Sequence, residues 1–327
     1  MSEPNRKGDG SPVPRTGHAI AQYDMAATLR EVAAMKAFKV IVVPHAPQEA
    51  VMARIEALRL KTLGIRGVPL PGLRLSERPQ AGKSKTLERY RLDLAERMAA
   101  EGSEPNPYQI LYLNLRTRVT VKMICQQLLR SLGDPHSDQG NTDQVLQRAS
   151  EFMMHRCVEL LIVDEVQHLS KARNDSNEVT DELKNFLDAG IVPLVLAGNL
   201  DSKKFFERND QLASRLGSPL ELSPLDPKLN GQAKLFKAFC INLDNALLTS
   251  GATRQLSGFG QSEVVGGLLK ASNGHVGRVC RVVEAALEHA SRRDADYVEP
   301  YDLSFAVRSF AIPQEYVFSD PFAEGAA

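Results

Sequence analysis

Three consecutive residues early in the chain, Gly82, Lys83 and Ser84, have the types that bind a phosphate group. In a G-x-x-x-x-G-K-[ST] loop the lysine reaches the β- and γ-phosphates, the hydroxyl ligates Mg²⁺, and N–H groups at a helix N-terminus surround the phosphate oxygens. Glu77 stands where this motif has its first glycine, and an ordinary helix start is the alternative interpretation. The predicted nucleotide contacts of this loop are Arg78, Gln80, Ala81, Gly82, Lys83, Ser84 and Lys85.

A second motif follows in the middle of the chain, where four aliphatic residues, 160–163, run into Asp164 and Glu165. A buried strand of a parallel sheet is continuously apolar, and ligands of such sheets bind at the carboxyl ends of the strands. Asp164 is therefore predicted to hold Mg²⁺ together with Ser84, and Glu165 to polarise an attacking water molecule. A buried strand that merely ends in a polar turn is the alternative, but the combination with the first motif favours a nucleoside triphosphatase.

Three further polar residues occur at positions that can complete such a site. Asn199 follows a predicted strand and can orient the attacking water, although an asparagine in a turn is equally common. Arg215 ends a helix before the last predicted strand and can reach the γ-phosphate of a neighbouring subunit, with a surface salt bridge as the alternative. Arg278 follows two glycines at a helix start and can contact the phosphates from above. We predict catalytic roles for Glu165, Asn199 and Arg215 and a nucleotide contact for Arg278.

The elements that must position these residues alternate between short apolar runs and amphipathic stretches, which predicts a parallel sheet flanked by helices. The five predicted strands are Gly72–Ser76, Ile110–Leu115, Glu159–Asp164, Ile191–Ala197 and Pro219–Leu222. The helices predicted between them are Lys83–Ala100, Val119–Leu132, Thr142–Arg156 and Glu178–Ala189. The segments predicted as helical outside this part are Ala19–Lys39, a stretch from about Pro47, Gly231–Leu248, Ser262–Ala271, Val276–Ser291 and Pro300–Phe310.

The strand pattern ends near Pro224–Pro227, which predicts a domain boundary there. We divide the chain into an N-terminal arm and helix at 1–39, an α/β nucleotide-binding core at 40–224, a helical lid at 225–310 and a C-terminal tail at 311–327.

Taken in order, the motifs resemble those of an AAA+ ATPase, which has a P-loop core, a sensor, an arginine finger and a helical lid. Residues 157–169 (CVELLIVDEVQHL) are similar to the corresponding stretch of the TniB/TnsC transposition regulators, as are 187–191 (LDAGI), 197–199 (AGN) and 274–278 (GHVGR). The resemblance extends over residues 40–310, and Glu77 is the departure from the family pattern.

The resemblance implies an ATPase that uses ATP and Mg²⁺ and assembles on duplex DNA, without sequence preference, as a ring or helical homo-oligomer. It also implies a transposase that is recruited and a separate protein that selects the target. The ATP site would lie between subunits, with Arg215 acting in trans, and the DNA-contacting segment would follow the second predicted strand. There Arg116, Arg118 and Lys122 can neutralise phosphates without reading bases, with a solvated helix start as the alternative.

Two other functions fit the same residues. One is an AAA+ ATPase that assembles on protein partners, in secretion or signalling, without DNA. The other is a scaffold in which ATP joins subunits and hydrolysis is negligible, because the phosphate-binding loop lacks its first glycine.

The composition limits these choices further. The 327 residues carry 40 basic and 40 acidic side chains, but residues 1–130 hold 21 basic against 12 acidic. A basic first third is compatible with a polyanionic partner and equally with a solvated face or self-association. No apolar run has the length of a membrane helix, and the first residues lack the apolar core of a signal peptide. The four cysteines lie far apart, which favours a reducing compartment, and we expect a cytoplasmic protein without membrane contact.

Overall fold

The computed structural model describes residues 24–116, 119–171, 176–207 and 210–323. Within these ranges the chain forms one parallel sheet and two groups of helices. The strands are β1 (Gly72–Ser76), β2 (Ile110–Asn114), β3 (Leu160–Asp164) and β4 (Leu194–Gly198). The helices before and around the sheet are α1 (Met25–Lys39), α2 (Ala46–Thr62), α3 (Lys83–Ala100), α4 (Val121–Ser131), α5 (Thr142–His155), α6 (Ser176–Asp188), α7 (Leu200–Glu207) and α8 (Asp210–Arg215). The later helices are α9 (Gln232–Thr249), α10 (Ser262–Ser272), α11 (Val276–Arg292) and α12 (Pro300–Ala306). A 3₁₀ segment follows β3 at Val166–Lys171, and a π-helical turn follows α12 at Val307–Ala311.

The sheet has the order β1-β4-β3-β2, with every pair parallel. The prediction of a parallel sheet flanked by helices is thus confirmed, but the prediction of five strands is wrong, because the described residues form four. The segment predicted as the fifth strand makes one isolated bridge to β1, between Leu220 and Leu75. Pro219 has no N–H to donate, and the N–H of Leu222 donates to the Glu77 side chain (2.9 Å) instead of to a strand.

Side chains of β3 alternate between two hydrophobic clusters, one on each face of the sheet. Leu161 and Val163 pack with α4, α5 and α6, whereas Leu160 and Ile162 pack with α2 and α3. Because side chains alternate along a strand, Asp164 is on the same face as Leu160 and Ile162, which is the face covered by α3. The pattern of the strand thus aims the first acidic residue at the start of α3.

The helices after the sheet form a separate hydrophobic cluster built from α9 to α12. Helix α1 belongs to this cluster through Ala34 and packs along α11, and Tyr316 joins it from the C-terminal segment. Arg30 fixes α1 by donating to the carbonyls of Ser291 (3.3 Å) and Arg292 (3.0 Å). The division at residues 39, 224 and 310 stays a prediction. In the part of the chain that the structure covers, no helix combines the length and apolar character needed to cross a bilayer.

Candidate nucleotide-binding site

The start of α3 and the end of β3 meet at a hydroxyl–carboxylate contact. Ser84 Oγ donates to Asp164 Oδ2 (2.7 Å), and the Tyr112 hydroxyl donates to the same oxygen (2.6 Å). The other oxygen, Oδ1, accepts the backbone N–H of Glu165 (2.8 Å), so the fully buried carboxylate of Asp164 has three donors. Hydroxyl and carboxylate oxygens are hard ligands of the kind that Mg²⁺ prefers, so Ser84 and Asp164 fit the predicted metal.

Lys83 lies beside this pair and is buried, with 7% of its surface exposed. Its Nζ donates to the carbonyls of Glu77 (3.1 Å) and Arg78 (3.2 Å), so the ammonium group lies inside the loop that precedes α3. Burial lowers the pKa of Lys83, and the charges of Asp164, Glu165 and Glu77 oppose that shift. A buried cation with only carbonyl oxygens as hydrogen-bond partners provides a binding position for a phosphate.

In the loop between β1 and α3, the left-handed backbone conformations lie next to α3 and not next to β1. Gln80 (φ 65°) and Gly82 (φ 91°) have left-handed backbones, whereas Glu77, which replaces the first glycine, does not. Glu77 donates its N–H to the Gly198 carbonyl (3.2 Å) and accepts the N–H of Leu222 with its side chain. Gly82 caps α3 without a side chain, so the first N–H groups of the helix are open to an anion.

Glu165 and Asn199 are joined by a residue to which the sequence analysis assigned no role. The buried Gln167 donates its Nε2–H to the Glu165 carboxylate and accepts the N–H of Asn199 with Oε1 (3.1 Å). Only one orientation of the amide gives both bonds a donor and an acceptor. Glu165 itself has a left-handed backbone (φ 63°), and the Asn199 side chain bonds to Asp201 (3.3 Å). The glutamate and the asparagine therefore lie in one hydrogen-bonded unit at the carboxyl ends of β3 and β4.

The start of α11 touches the phosphate-binding loop directly. A Cβ on Gly277 would overlap the carbonyl oxygen of Gln80, so only glycine permits this approach. Arg278, one residue on, lies over the Tyr316 ring (4.5 Å from the guanidinium carbon to the ring centroid). Burial and the charge of Arg78 lower the pKa of Arg278, and burial with both arginines lowers the pKa of His275. The mutual repulsion of these groups marks a region where an anion would be stabilised.

A cavity of about 640 Å³ lies between the loop, α9 and α11, a volume typical of small-molecule sites. Of the predicted residues, Gln80, Gly82, Lys83, Ser84, Lys85 and Glu165 line it. Arg78, Ala81 and Asp164 adjoin the cavity through the loop and the Ser84 contact.

The other half of the cavity is apolar and was not predicted as part of a site. The residues that form it come from the segment after α1 and from α9, namely Ile41, Val42, Val43, His45, Phe239 and Leu243. Nδ1 of His45 accepts the N–H of Gln48 (3.4 Å), and burial lowers its pKa to about 4, so the ring is neutral at pH 7. The only sequence signal for this wall is the apolar run at 40–43, which Pro44 ends.

Arg215 is not part of the group around Lys83 within a single chain. Its Nε pairs with Asp188 (2.6 Å), which Lys184 also approaches (3.8 Å). The Arg215 side chain is 39% exposed, so part of it faces solvent at the end of α8. The assignment of Arg215 to the site of a neighbouring subunit stays a prediction.

The predicted DNA-contacting segment borders a groove of about 570 Å³ beside the edge strand β2. The groove is lined by Tyr112, Asn114, Arg116, Val119, Met123, Gln126, Gln127 and Arg130. Arg116 is exposed within it, whereas Lys122 is half-buried on the first turn of α4 and is not among the lining residues. Arg118 lies outside the described residues. The structure thus brings one of the three predicted cations into this groove.

Comparison with solved structures identifies the fold. The ORC1 protein of Aeropyrum pernix, solved in complex with DNA, has a TM-score of 0.60 at 19% identity, over 84% of this chain and 68% of that chain. Cdc6p of Pyrobaculum aerophilum has a TM-score of 0.58 at 15% identity, over 87% of this chain and 71% of that chain. Both solved structures have the AAA+ fold, and the parallel sheet of this chain with its flanking helices has the same fold.

Comparison with curated protein sequences finds no match. Residues 35–224 match the family described as "Bacterial TniB protein". This match confirms the resemblance found in the sequence and includes both the phosphate-binding loop and the acidic end of β3. Since it spans more than half of the chain, the protein belongs to the TniB family.

Proposed function

We propose that this protein is an ATPase that acts on duplex DNA as a homo-oligomer, recruits a transposase and receives its target from a separate selector protein. The observation that carries the ATPase part is the convergence of Lys83, Ser84, Asp164 and Glu165 at one end of the sheet, beside a cavity closed by α11. Membership of the TniB family supports the role in transposition, and a cytoplasmic location follows from that role.

ATP and Mg²⁺ are the ligands that this arrangement fits. Mg²⁺, when bound, withdraws charge from the phosphate oxygens and so lowers the barrier to phosphoryl transfer. Ser84 and Asp164 supply its protein oxygens, and Lys83 with the first N–H groups of α3 binds the phosphates. Glu165 accepts the proton of the attacking water, which the Asn199 amide can orient. Arg78 and Arg278 neutralise the remaining phosphate charge, and the apolar wall around Val42 holds the base.

The nucleotide part is tested with Lys83→Ala. We expect this variant to lose ATP affinity by at least about a hundredfold, because a buried ammonium–phosphate contact is removed. Titration of a fluorescent ATP analogue measures the affinity, with Lys61→Ala, an exposed lysine in the last turn of α2, as the control. Equal nucleotide affinity of Lys83→Ala and wild type contradicts the assigned site.

The DNA part rests on the family and on the exposed Arg116 beside β2. ORC1 of A. pernix, which shares the fold, is itself solved with DNA. We expect ATP-dependent retention on duplex DNA that weakens steeply with salt, since phosphate contacts release counterions. Arg116→Glu should abolish this retention and leave nucleotide binding intact. If assembly and ATP use survive in Arg116→Glu and DNA has no effect on the wild type, a role on protein partners is favoured instead.

A second candidate is a nucleotide-bound scaffold with negligible hydrolysis. It is favoured by the Glu165 carboxylate, which is already engaged by the Gln167 amide in the single chain. Steady-state phosphate release of wild type and Glu165→Gln separates the two functions. A wild-type rate that does not exceed the rate of the variant supports the scaffold, and a rate at least about a hundredfold higher supports the ATPase.

A further inference from the structure

Tyr112 is the one side chain among the described residues that both lines the groove beside β2 and bonds to the candidate metal ligand. It lies in the middle of β2, opposite Ile162 of β3, and its side chain is on the same face of the sheet as Asp164. Its ring is half-buried, and the guanidinium carbon of Arg91 lies 5.6 Å from the ring centroid. The Tyr112 side chain therefore reaches from the groove beside β2 to the carboxyl end of β3.

The hydroxyl of Tyr112 contacts the carboxylate oxygen of Asp164 that also accepts from Ser84. Asp164 Oδ2 accepts from both Tyr112 (2.6 Å) and Ser84 (2.7 Å), while Oδ1 is occupied by the N–H of Glu165 (2.8 Å). Because a hydroxyl has lone pairs besides its one proton, Ser84 can face Mg²⁺ and still donate to Oδ2, so Tyr112 and Ser84 fix this oxygen together. Such outer partners orient a ligand and change metal affinity when they are lost.

The groove that Tyr112 lines also contains the proposed DNA contact. Arg116 and Asn114 line the same groove, and Asn114 is the register partner of Asp164 in β3. An anion bound at Arg116 would occupy the groove that the Tyr112 ring also lines, and would shift the ring where the two touch. Any such shift acts on the hydroxyl and thus on the position of Asp164.

We propose that Tyr112 is a positioning residue that holds Asp164 for Mg²⁺ and couples occupation of the groove by DNA to metal binding at the nucleotide site. This inference rests on the proposed function. It adds a route by which duplex DNA stimulates the site without contacting the nucleotide. The geometry assigns the coupling to one hydroxyl, which can be removed while the ring is kept.

The test uses the full chain with Tyr112→Phe, which keeps the ring in the groove. Binding of a fluorescent ATP analogue is titrated with Mg²⁺, with and without duplex DNA. In the wild type we expect DNA to lower the Mg²⁺ concentration needed for half-maximal binding. In Tyr112→Phe we expect that concentration to rise about tenfold to a hundredfold and to be independent of DNA, because the outer partner of Asp164 is missing.

Tyr108→Phe is the matched control, because this tyrosine precedes the same strand but packs against Arg156 (4.8 Å from the guanidinium carbon to the ring centroid). It should behave as the wild type. An unchanged Mg²⁺ requirement in Tyr112→Phe overturns the positioning role, and a DNA effect that persists in this variant overturns the coupling. A wild type without Mg²⁺-dependent nucleotide binding contradicts the proposed function itself, so the two failures are distinguishable.

Discussion

Within the described ranges, buried charged side chains lie at both ends of β3, but only those at the amino end are paired with opposite charges. At the amino end, Arg59 donates to the carboxylates of Glu56 (2.9 Å) and Glu159, and the Tyr90 hydroxyl donates to Glu56 (2.8 Å). Gln109 adds a further donor to Glu159 (3.0 Å). Every charge in this network has an opposite charge in contact.

At the carboxyl end of β3 the cation and the carboxylate are not paired. Lys83 bonds to carbonyl oxygens, and no carboxylate of the described residues lies within ion-pair distance of it. Burial and the positive charge of Arg78 lower the pKa of Arg278. We therefore expect the complete ion network to contribute to the stability of the fold, and the incomplete one to leave binding energy for a ligand.

The largest expected effect is a difference in stability between two variants, each of which removes the cation at one end of β3. Arg59→Met leaves two partly buried carboxylates without their shared cation, so we expect the free energy of unfolding to fall by about 3 kcal/mol. Lys83→Met removes a desolvated charge without a carboxylate partner, so the stability of the ligand-free chain should be unchanged or higher. Urea unfolding at pH 7 measures both, and a comparable loss in the two variants would contradict the distinction.

The paired end should also respond to pH in a defined direction. Hydrogen bonding from Arg59 lowers the pKa of Glu56 from 4.5 to about 2. A carboxyl whose pKa is lowered on folding adds stability above its unfolded pKa and loses it as the pH falls toward the folded value. Glu56→Gln should therefore cost about 2 kcal/mol at pH 7, and the difference from wild type should shrink below pH 4.5.

The control for this pH series is Glu88→Gln, which changes an exposed carboxylate paired with Lys85 (3.2 Å). Exposed pairs of this kind add little stability, so its unfolding should follow the wild type at every pH. A Glu56→Gln curve that runs parallel to the wild type from pH 7 to pH 3 would show that the network does not stabilise the fold electrostatically.

A smaller effect is expected where the unpaired end meets α11. The methyl group of Gly277→Ala overlaps the Gln80 carbonyl and moves the helix start away from the loop. We expect the affinity for an ATP analogue to fall about tenfold, or about 1.4 kcal/mol. Gly266→Ala is the matched control, because its added Cβ meets nothing within 4 Å and should leave nucleotide affinity unchanged.

The sequence predicts the phosphate side of the site well, because its chemistry demands particular residue types. β1 and α3 have the predicted bounds, Gly72–Ser76 and Lys83–Ala100, and the residues of the loop meet Asp164 as parallel strands require. The apolar wall around Val42 and Phe239 was not predictable, since many apolar residues could form it and its two parts lie far apart in the chain.

The wrong prediction of a fifth strand and the missed role of Gln167 have the same physical origin. In the segment Pro219–Leu222, predicted as the fifth strand, the Leu220 N–H donates to the β1 backbone, but the Leu222 N–H donates to the Glu77 side chain, a contact that sequence patterns do not reveal. The role of Gln167 is not visible in the sequence, because it depends on the N–H of Asn199, a residue that follows another strand. Contacts that are decided by tertiary neighbours leave no periodic signal in the sequence.

The packing of α1 against α11 has a mechanical consequence. The helical cluster is joined to the sheet by two chain segments, residues 40–45 before α2 and residues 223–231 before α9. The second segment is fixed to the cluster by the Leu225 N–H, which donates to the Gly274 carbonyl (2.9 Å). We expect the cluster to rotate about the line between these two segments when the cavity opens, which would separate Gly277 from Gln80. Because the first segment forms the apolar wall, that rotation changes the contacts to the base and to the phosphates together.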